Sequence, residues 1–320
     1  MNTPHPAIII VVLNWNNPAD TIECLQSLSK LTYSNYKTIL VDNGSTDDSV
    51  ARIKEAYPEM IIVENKENLG FSEGNNVGIR YALKAGAEYV LLLNNDTLVD
   101  PDLLNELLSA HQQFPKAGIL GAKIYFADPP DLIWYAGAKW SCEEGVFRHL
   151  HIGEKDSDLP SNESTCPIDY ACGCAMLIRR EVFAKIGLLE SKFFLYYEDS
   201  DFCYKARRAG FGVIYVPKAK VWHKISASTG GNNYSAETES NRYTYYTTRN
   251  RLLWMERNLS LFNRLKTPFY GWFSSEMRRD MKIINSTTSD QYLLPAKRRV
   301  KYRLIGLRDY LLRRFGYRSI

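Results

Sequence analysis

The stretch Ala7 to Leu13, Ala-Ile-Ile-Ile-Val-Val-Leu, limits the fold more than any other part of the chain. It is a continuous apolar run, rich in β-branched residues, that stops abruptly at Asn14-Trp15-Asn16-Asn17-Pro18. A strand with one wet face alternates polar and apolar residues. This one does not, so it is read as buried on both faces, which requires helices above and below the sheet. The next segments supply them. Ile22, Leu25 and Leu28 recur at helical spacing behind Asp20, a possible cap, and an apolar strand at Thr38 to Val41 follows. Ser45, Thr46 or Asp47 can cap a helix at Ser49 to Tyr57; then come a strand at Met60 to Val63, a helix at Asn75 to Ala85 and a strand at Tyr89 to Leu93. Such alternation predicts an α/β fold: a Rossmann-like, mainly parallel sheet with right-handed crossovers, flanked by helices. Ligands of such sheets sit beyond the carboxyl ends of the strands. Three of those ends are polar here: Asn14 to Asn17, Asp42 to Asp47 and Asn94 to Asp96.

Further along, the pattern predicts a helix at Pro101 to Phe114, a strand at Gly118 to Phe126, and loops with short antiparallel strands from Ala127 to Asp169. A strand at Cys172 to Ile178, helices at Arg180 to Ile186 and Asp199 to Ala209, and a strand at Val213 to Val216 come next. From Tyr243 the chain reads as long, helical and basic. Residues 242–320 hold 18 Lys+Arg against 5 Asp+Glu, so the overall charge of +4 conceals a strongly basic end and an acidic first 241 residues. We therefore expect two regions, 1–241 and 242–320. The basic end can mean nucleic acid, an anionic lipid or an acidic substrate, and the acidic front argues against a protein wholly devoted to nucleic acid. Cys24, Cys142, Cys166, Cys172, Cys174 and Cys203 form no CxxC pair and are too sparse for a disulfide framework. No apolar run reaches the ~20 residues of a membrane span. Nothing before Ala7 has the basic stretch of a signal peptide, so the expected location is cytoplasmic.

Four constellations could carry chemistry. Asp42, at a strand end before Asn43-Gly44-Ser45-Thr46-Asp47, can accept hydrogen bonds from a pyrimidine N–H or a ribose hydroxyl; a turn with a helix cap explains the same residues. Asn94-Asn95-Asp96 delivers a carboxylate to a strand end, suited to a hard divalent cation or to an Asx turn. Glu198-Asp199-Ser200-Asp201 places three carboxylates in four residues, where mutual repulsion raises a pKa toward that of a general base; capping accounts for one acid and not for three. His223 can complete a metal shell, and Ser226 to Gly231 beside it offers hydroxyls and N–H groups to phosphates. One competing pattern is Gly70-Phe71-Ser72-Glu73-Gly74, which matches the G-x-S-x-G elbow of an α/β-hydrolase esterase with Ser72 as nucleophile. The polar stretch Glu64 to Asn68 separates Ser72 from any strand, which weighs against that reading. His149 and His151 read as surface residues.

Taken in order, IIIVVLNWN, VDNGSTDDS, NLGFSEGNNVGI, LLLNNDT, GCAMLIRREVF, YYEDSDFCYKARRAG and VWHKISASTGG resemble the family 2 glycosyltransferases of GT-A fold, most of all their bacterial rhamnosyltransferase-like members, over residues 7–232. The resemblance implies an inverting transferase that moves a sugar such as rhamnose from a dTDP- or UDP-linked donor to a glycan or polyprenyl-linked acceptor of the cell envelope. It places the nucleotide at Asn14, Asn16, Asp42, Asn68, Gly70, Asn76 and Asn95, and Mn2+ or Mg2+ at Asp96 and His223. It makes Asp199, paired with Glu198, the catalytic base, and makes 1–241 the transferase domain. Asn94 stands where the family's D-x-D motif has its first acid. Ser228, Thr229 and Arg249 become candidates for phosphate or acceptor. A third reading, from another class, is a non-catalytic protein that grips lipid or polyanion with its basic end.

Within that end, Val300, Leu304, Leu307, Leu311 and Phe315 recur at helical spacing among Lys297, Arg298, Lys301, Arg308, Arg313 and Arg314. The stripe could lie peripherally on the inner face of an anionic membrane, pack on the core, or pair with a second subunit.

Overall fold

The computed structural model describes residues 6–141, 146–160, 163–224, 240–260 and 269–320. In chain order the first half runs β1 (Ile8–Asn14), α1 (Pro18–Leu28), β2 (Tyr36–Asp42), α2 (Ser49–Ala56), β3 (Ile61–Glu64), α3 (Gly70–Lys84), β4 (Tyr89–Asn94), β5 (Thr97–Val99), α4 (Leu103–Gln113) and β6 (Ala117–Phe126). Short strands β7 (Ile133–Tyr135), β8 (Ala138–Ser141), β9 (Val146–His149) and β10 (Cys166–Pro167) follow, then β11 (Ala175–Arg179), α5 (Arg180–Ile186), α6 (Glu198–Arg208) and β12 (Gly212–His223). Three helices end the chain: α7 (Asn241–Asn258), α8 (Phe269–Ser286) and α9 (Asp290–Leu311).

The main sheet has the order β10-β12-β6-β11-β4-β1-β2-β3, with β5 beside β12 and β7 beside β6. From β3 through β2 and β1 to β4 every pairing is parallel. Beyond β4 the sheet is mixed, because β11 enters antiparallel between β4 and β6. The reason is connectivity. After β10 the chain returns to the carboxyl end of β4, where Ala175 pairs with Leu93, so β11 starts there and runs back. β1, the predicted anchor, is buried along Ile8 to Val12, and Gly78 lets α3 approach it closely.

Among the boundaries that differ from the sequence reading, three have a clear local reason. Asn17 occupies the cap position of α1 with Pro18 as first helical residue, while Asp20 sits in the first turn and pairs with Lys224. Helix α3 begins at Gly70, not Asn75, because the carbonyl of Phe194 takes the N–H groups of Phe71 and Ser72 and substitutes for a capping side chain. Strand β12 runs on to His223 because a register shift after Val216 absorbs Pro217.

The C-terminal stripe is also corrected. Helix α9 stops at Leu311, short of Phe315; Leu304 and Leu311 are 49% and 65% exposed. The buried face is instead Ala296, Arg303, Gly306 and Asp309. Gly306 brings α9 against the backbone of α7, where a Cβ would stand 2.9 Å from the Tyr245 carbonyl oxygen. Arg299 and Arg303 bind Asp280 of α8, and Arg308 and Arg318 bind Asp309. Four of the basic residues of this region are thus held by two of its own acids.

The Gly78→Ala substitution tests the α3 contact, since its Cβ would lie 2.3 Å from a methyl of Val11 in a stiff, buried strand. We expect a loss of about 1–3 kcal/mol in urea unfolding, the usual cost of overpacking.

Candidate active site

Parallel register sets Asn14 opposite Asp42 and Leu13 opposite Asn94, so the three polar strand ends meet. Asn14 is fully buried and donates from Nδ2 to Asp42 Oδ1 (2.8 Å) and Ser45 Oγ (3.1 Å), while its Oδ1 accepts from Thr21 Oγ1 at 2.7 Å. Asp42 also accepts from the Ser45 N–H at 3.0 Å, and Asn16 Oδ1 accepts from the Thr46 N–H at 2.9 Å. These bonds sew the first two strand-end loops together. They also correct an expectation: Asn14 and Asp42 bond each other, Asn16 bonds Ser45 and Thr46, and none of the three is among the residues that line the cleft. Its wall here is Trp15, Asn43, Asn68 and Gly70, followed by Asn94, Asn95 and Asp96. Trp15 and Asn43 were not singled out from the sequence, although each adjoins a residue that was.

The cleft has a volume of about 1020 Å³. On one side of it β12 pairs with β5, which sets His223 opposite Thr97 and brings its Nε2 to 3.1 Å from Asp96 Oδ1. Both side chains are about nine-tenths buried. Asn94 Nδ2 lies 3.4 Å from the same ring nitrogen, and Trp134 meets the imidazole edge to face at 4.9 Å. Among the described residues no third His, Cys, Asp or Glu completes a metal shell. One carboxylate and one imidazole fit a cation such as Mn2+ or Mg2+ that keeps most of its positions for water and substrate oxygens, and do not fit a closed structural zinc site.

The three neighbouring acids at the start of α6 separate cleanly. Asp201, 1% exposed, accepts from Arg257 Nε (3.2 Å) and Asn258 Nδ2 (2.7 Å) and so ties α6 to α7. Glu198 and Asp199 face the cleft. Asp199 Oδ2 accepts from the Gly173 N–H at 3.0 Å and Oδ1 from the Ser200 N–H at 2.6 Å. Burial raises both carboxyls above their ordinary range; for Glu198 the charge of Asp199 adds to it, and for Asp199 the backbone N–H groups oppose it. Helix capping explains none of the three, since no side chain caps α6.

Other expected positions fall elsewhere. Asn95 donates to Thr21 Oγ1 at 2.9 Å and lines the cleft. Asn68 Oδ1 takes the Gly70 N–H at 2.8 Å, and Gly70, at φ +78°, lies against Phe194 too closely for a side chain. Asn76 is corrected to a packing role: it is buried in α3 and exchanges bonds with the backbone of Leu189. Arg249 is corrected as well, because its guanidinium is fully buried against the carbonyls of Lys192, Phe193 and Gly316 and cannot meet a phosphate. Ser228 and Thr229 lie outside the described residues. Ser72 is buried in the first turn of α3, with no partner for its hydroxyl among the described residues, where an elbow serine must stand exposed beside its histidine. His149 is not a surface residue. It hydrogen-bonds Tyr170, joins Trp134 and Phe147 in an aromatic wall of the cleft, and is pushed down to about 4 by burial, so it is neutral at physiological pH. His151 is exposed as expected.

The comparisons decide what this cleft belongs to. Residues 8–187 match the model of glycosyl transferase family 2. The chain belongs to that family. The transferase is 29% identical over 206 residues to the low-salt glycan biosynthesis hexosyltransferase of Haloferax volcanii, a match covering 64% of this chain and 62% of that protein. It is 28% identical over 243 residues to the N-acetylglucosaminyl-diphospho-decaprenol L-rhamnosyltransferase of Mycobacterium tuberculosis, covering 70% of this chain and 78% of the relative. It also resembles the dTDP-rhamnosyl transferase RfbF of Shigella flexneri, at 23% identity, with 68% and 69% covered. The fold is of the GT-A type: the transferase superposes on GalNAc-T7, solved with UDP, GalNAc and Mn2+, at a TM-score of 0.63 and 16% identity, covering 97% of this chain and 57% of the other. It superposes on a mannosyltransferase of Pyrobaculum calidifontis, solved with GDP-Man and Mn2+, at 0.57 and 14% identity, covering 97% and 88%.

The division among the acids is testable by stability. Asp201→Asn breaks a buried pair and should cost about 3–5 kcal/mol in denaturant unfolding. Glu198→Gln should stabilise the protein at neutral pH. The folded state holds the Glu198 proton to a higher pH than the unfolded chain, so above the unfolded pKa the ionised acid counts against folding.

Proposed function

We propose that the transferase inverts the anomeric centre of a nucleoside-diphosphate sugar, with Asp199 as the base that activates an acceptor hydroxyl. The observation that carries this reading is the buried, raised Glu198–Asp199 pair facing the same cleft as Asp96 and His223. Asp199 takes the hydroxyl proton while the acceptor oxygen bonds to the anomeric carbon and the bond from that carbon to the diphosphate oxygen breaks. Two N–H groups fix the carboxylate in place. No enzyme nucleophile is called for: the Cys24 and Cys203 thiols are buried and pushed up, and Ser72 faces the interior. Asp96 and His223 would hold Mn2+ or Mg2+, which when bound neutralises charge on the departing diphosphate. Trp15, with Arg242 stacked 5.6 Å over it, and Asn43 and Asn68 would flank the nucleotide.

The rhamnosyltransferase relatives favour dTDP-rhamnose as donor. The cleft is also lined by Arg279, Arg299, Arg303 and Arg318; they share Glu276, Asp280 and Asp309 as partners, and the cation left in surplus would suit the phosphates of a polyprenyl-linked acceptor. Residues 242–320 would then supply the acceptor wall of a cleft whose donor site lies mostly in 1–241, with Arg242 reaching across to Trp15. The exposed Leu304 and Leu311, beside Lys297, Arg298 and Lys301, would rest on the anionic membrane that carries such an acceptor. No helix among the described residues is long and apolar enough to cross a membrane.

Thermal shift with dTDP, UDP, GDP and CDP, each with Mn2+ or Mg2+, tests the donor site. We expect a metal-enhanced shift with dTDP that Asp96→Asn and His223→Ala abolish. Asp199→Asn should lower kcat by about 10²–10⁴ with that shift intact, and full transfer by this variant would end the base reading. The rate of the unmodified enzyme should fall on acidification at a pH above the ordinary carboxylate range, because the base must be ionised and its pKa is raised. The double substitution Leu304→Glu with Leu311→Glu should abolish co-sedimentation with phosphatidylglycerol vesicles.

A further inference from the structure

Just before the proposed base the chain does something costly. Phe194, Tyr196 and Tyr197 all have positive φ (64°, 67° and 76°), a conformation disfavoured by about 1 kcal/mol or more for residues with a Cβ. Such a segment persists only if its surroundings hold it. Its carbonyls show how. From Lys192 to Tyr197, six successive carbonyl oxygens all accept hydrogen bonds, and four of the six are taken by two adjacent residues of α7. Arg249 Nη2 donates to Lys192 O (3.2 Å) and Phe193 O (2.8 Å). Asn250 Nδ2 is shared among Phe193 O (2.8 Å), Leu195 O (2.7 Å) and Tyr196 O (2.9 Å). The Phe194 carbonyl takes the first N–H groups of α3, and that of Tyr197 takes the N–H of Asp201.

The two side chains are themselves oriented. Arg249 Nε donates to Asn250 Oδ1 at 2.9 Å, which turns the amide nitrogen toward the strap. Arg249 Nη1 donates to Gly316 O at 2.8 Å, and its guanidinium lies 4.8 Å from the Tyr246 ring and 5.8 Å from that of Phe315. The chain after α9 thus closes the cage. A buried cation facing neutral carbonyls and rings is poorly placed to bind a ligand and well placed to organise backbone.

We propose that Arg249 and Asn250, braced by Phe315 and Gly316, are positioning residues for transfer: they fix the strap Lys192 to Tyr197 and through it the aim of Asp199. The proposal rests on Asp199 being the base. A misplacement near 1 Å costs about 10²-fold in rate, so small changes in the cage should be visible.

The test is steady-state kinetics on full-length Asn250→Ala, Arg249→Lys and Phe315→Ala, using a simple saccharide that the unmodified enzyme glycosylates, with dTDP affinity measured by thermal shift in Mn2+. We expect Asn250→Ala and Arg249→Lys to lose 10- to 100-fold in kcat, with dTDP affinity within twofold and circular dichroism unchanged. The acid limb of kcat should move to lower pH, since a loosened strap admits water and relaxes the raised pKa of the Glu198–Asp199 pair. Phe315→Ala removes only a covering ring, so it keeps the proposal testable should the buried substitutions fail to fold; it should lose 3- to 10-fold with the same change of limb. Folded variants with kcat within twofold of the unmodified enzyme, or a loss with an unmoved limb and equally weakened dTDP binding, overturn the proposal alone. Full activity of Asp199→Asn removes the base reading and this proposal together.

Discussion

A backbone polar group taken from water must be paired, and the strap from Lys192 to Tyr197 concentrates that requirement in six consecutive carbonyls. No helix or strand can satisfy a stretch with three residues in the left-handed region. Apart from the Leu195 N–H on the Phe193 carbonyl and the Gly316 N–H on that of Lys192, the partners come from three parts of the chain: the N-terminus of α3, the Arg249-Asn250 pair of α7 and the first turn of α6. Those three elements are thereby fixed relative to one another around the acids of α6. The close contact of Gly70 with Phe194 follows from the same arrangement.

A comparable economy operates at the strand ends. Asn14 and Asp42 use their polar groups on each other, on Ser45 and on Thr21, so that two loops which could move independently become one rim. The residues presented to the cleft stand on that rim instead of forming it. Holding the scaffold together and presentation to a ligand are separate roles, and near neighbours divide them: Asn14 and Trp15, Asp42 and Asn43, Asp201 and Asp199.

This division explains what was legible in the sequence. Period and composition are properties of local segments, so the α/β alternation, the buried strand β1 and the polar strand ends could be read directly, and an ordered set of motifs located the cleft. The facing of single side chains could not, because it depends on partners far along the chain. Asn76 answers to Leu189, Arg249 to Lys192 and Phe193, and the first turn of α3 to Phe194. The leucine spacing of α9 misled for the same reason. A helix periodicity reports which residues share a face, and Gly306, packed on α7, chose the other face.

That choice has an evolutionary corollary. The face of α9 turned toward α7 and α8 is bound by Gly306 and by the charges at Arg303 and Asp309, each needing a matching residue elsewhere, so a change there calls for a compensating one. Leu304 and Leu311 are largely exposed and take no part in that packing. They answer to whatever surface they meet, and can change with it while the helix stays moored in place.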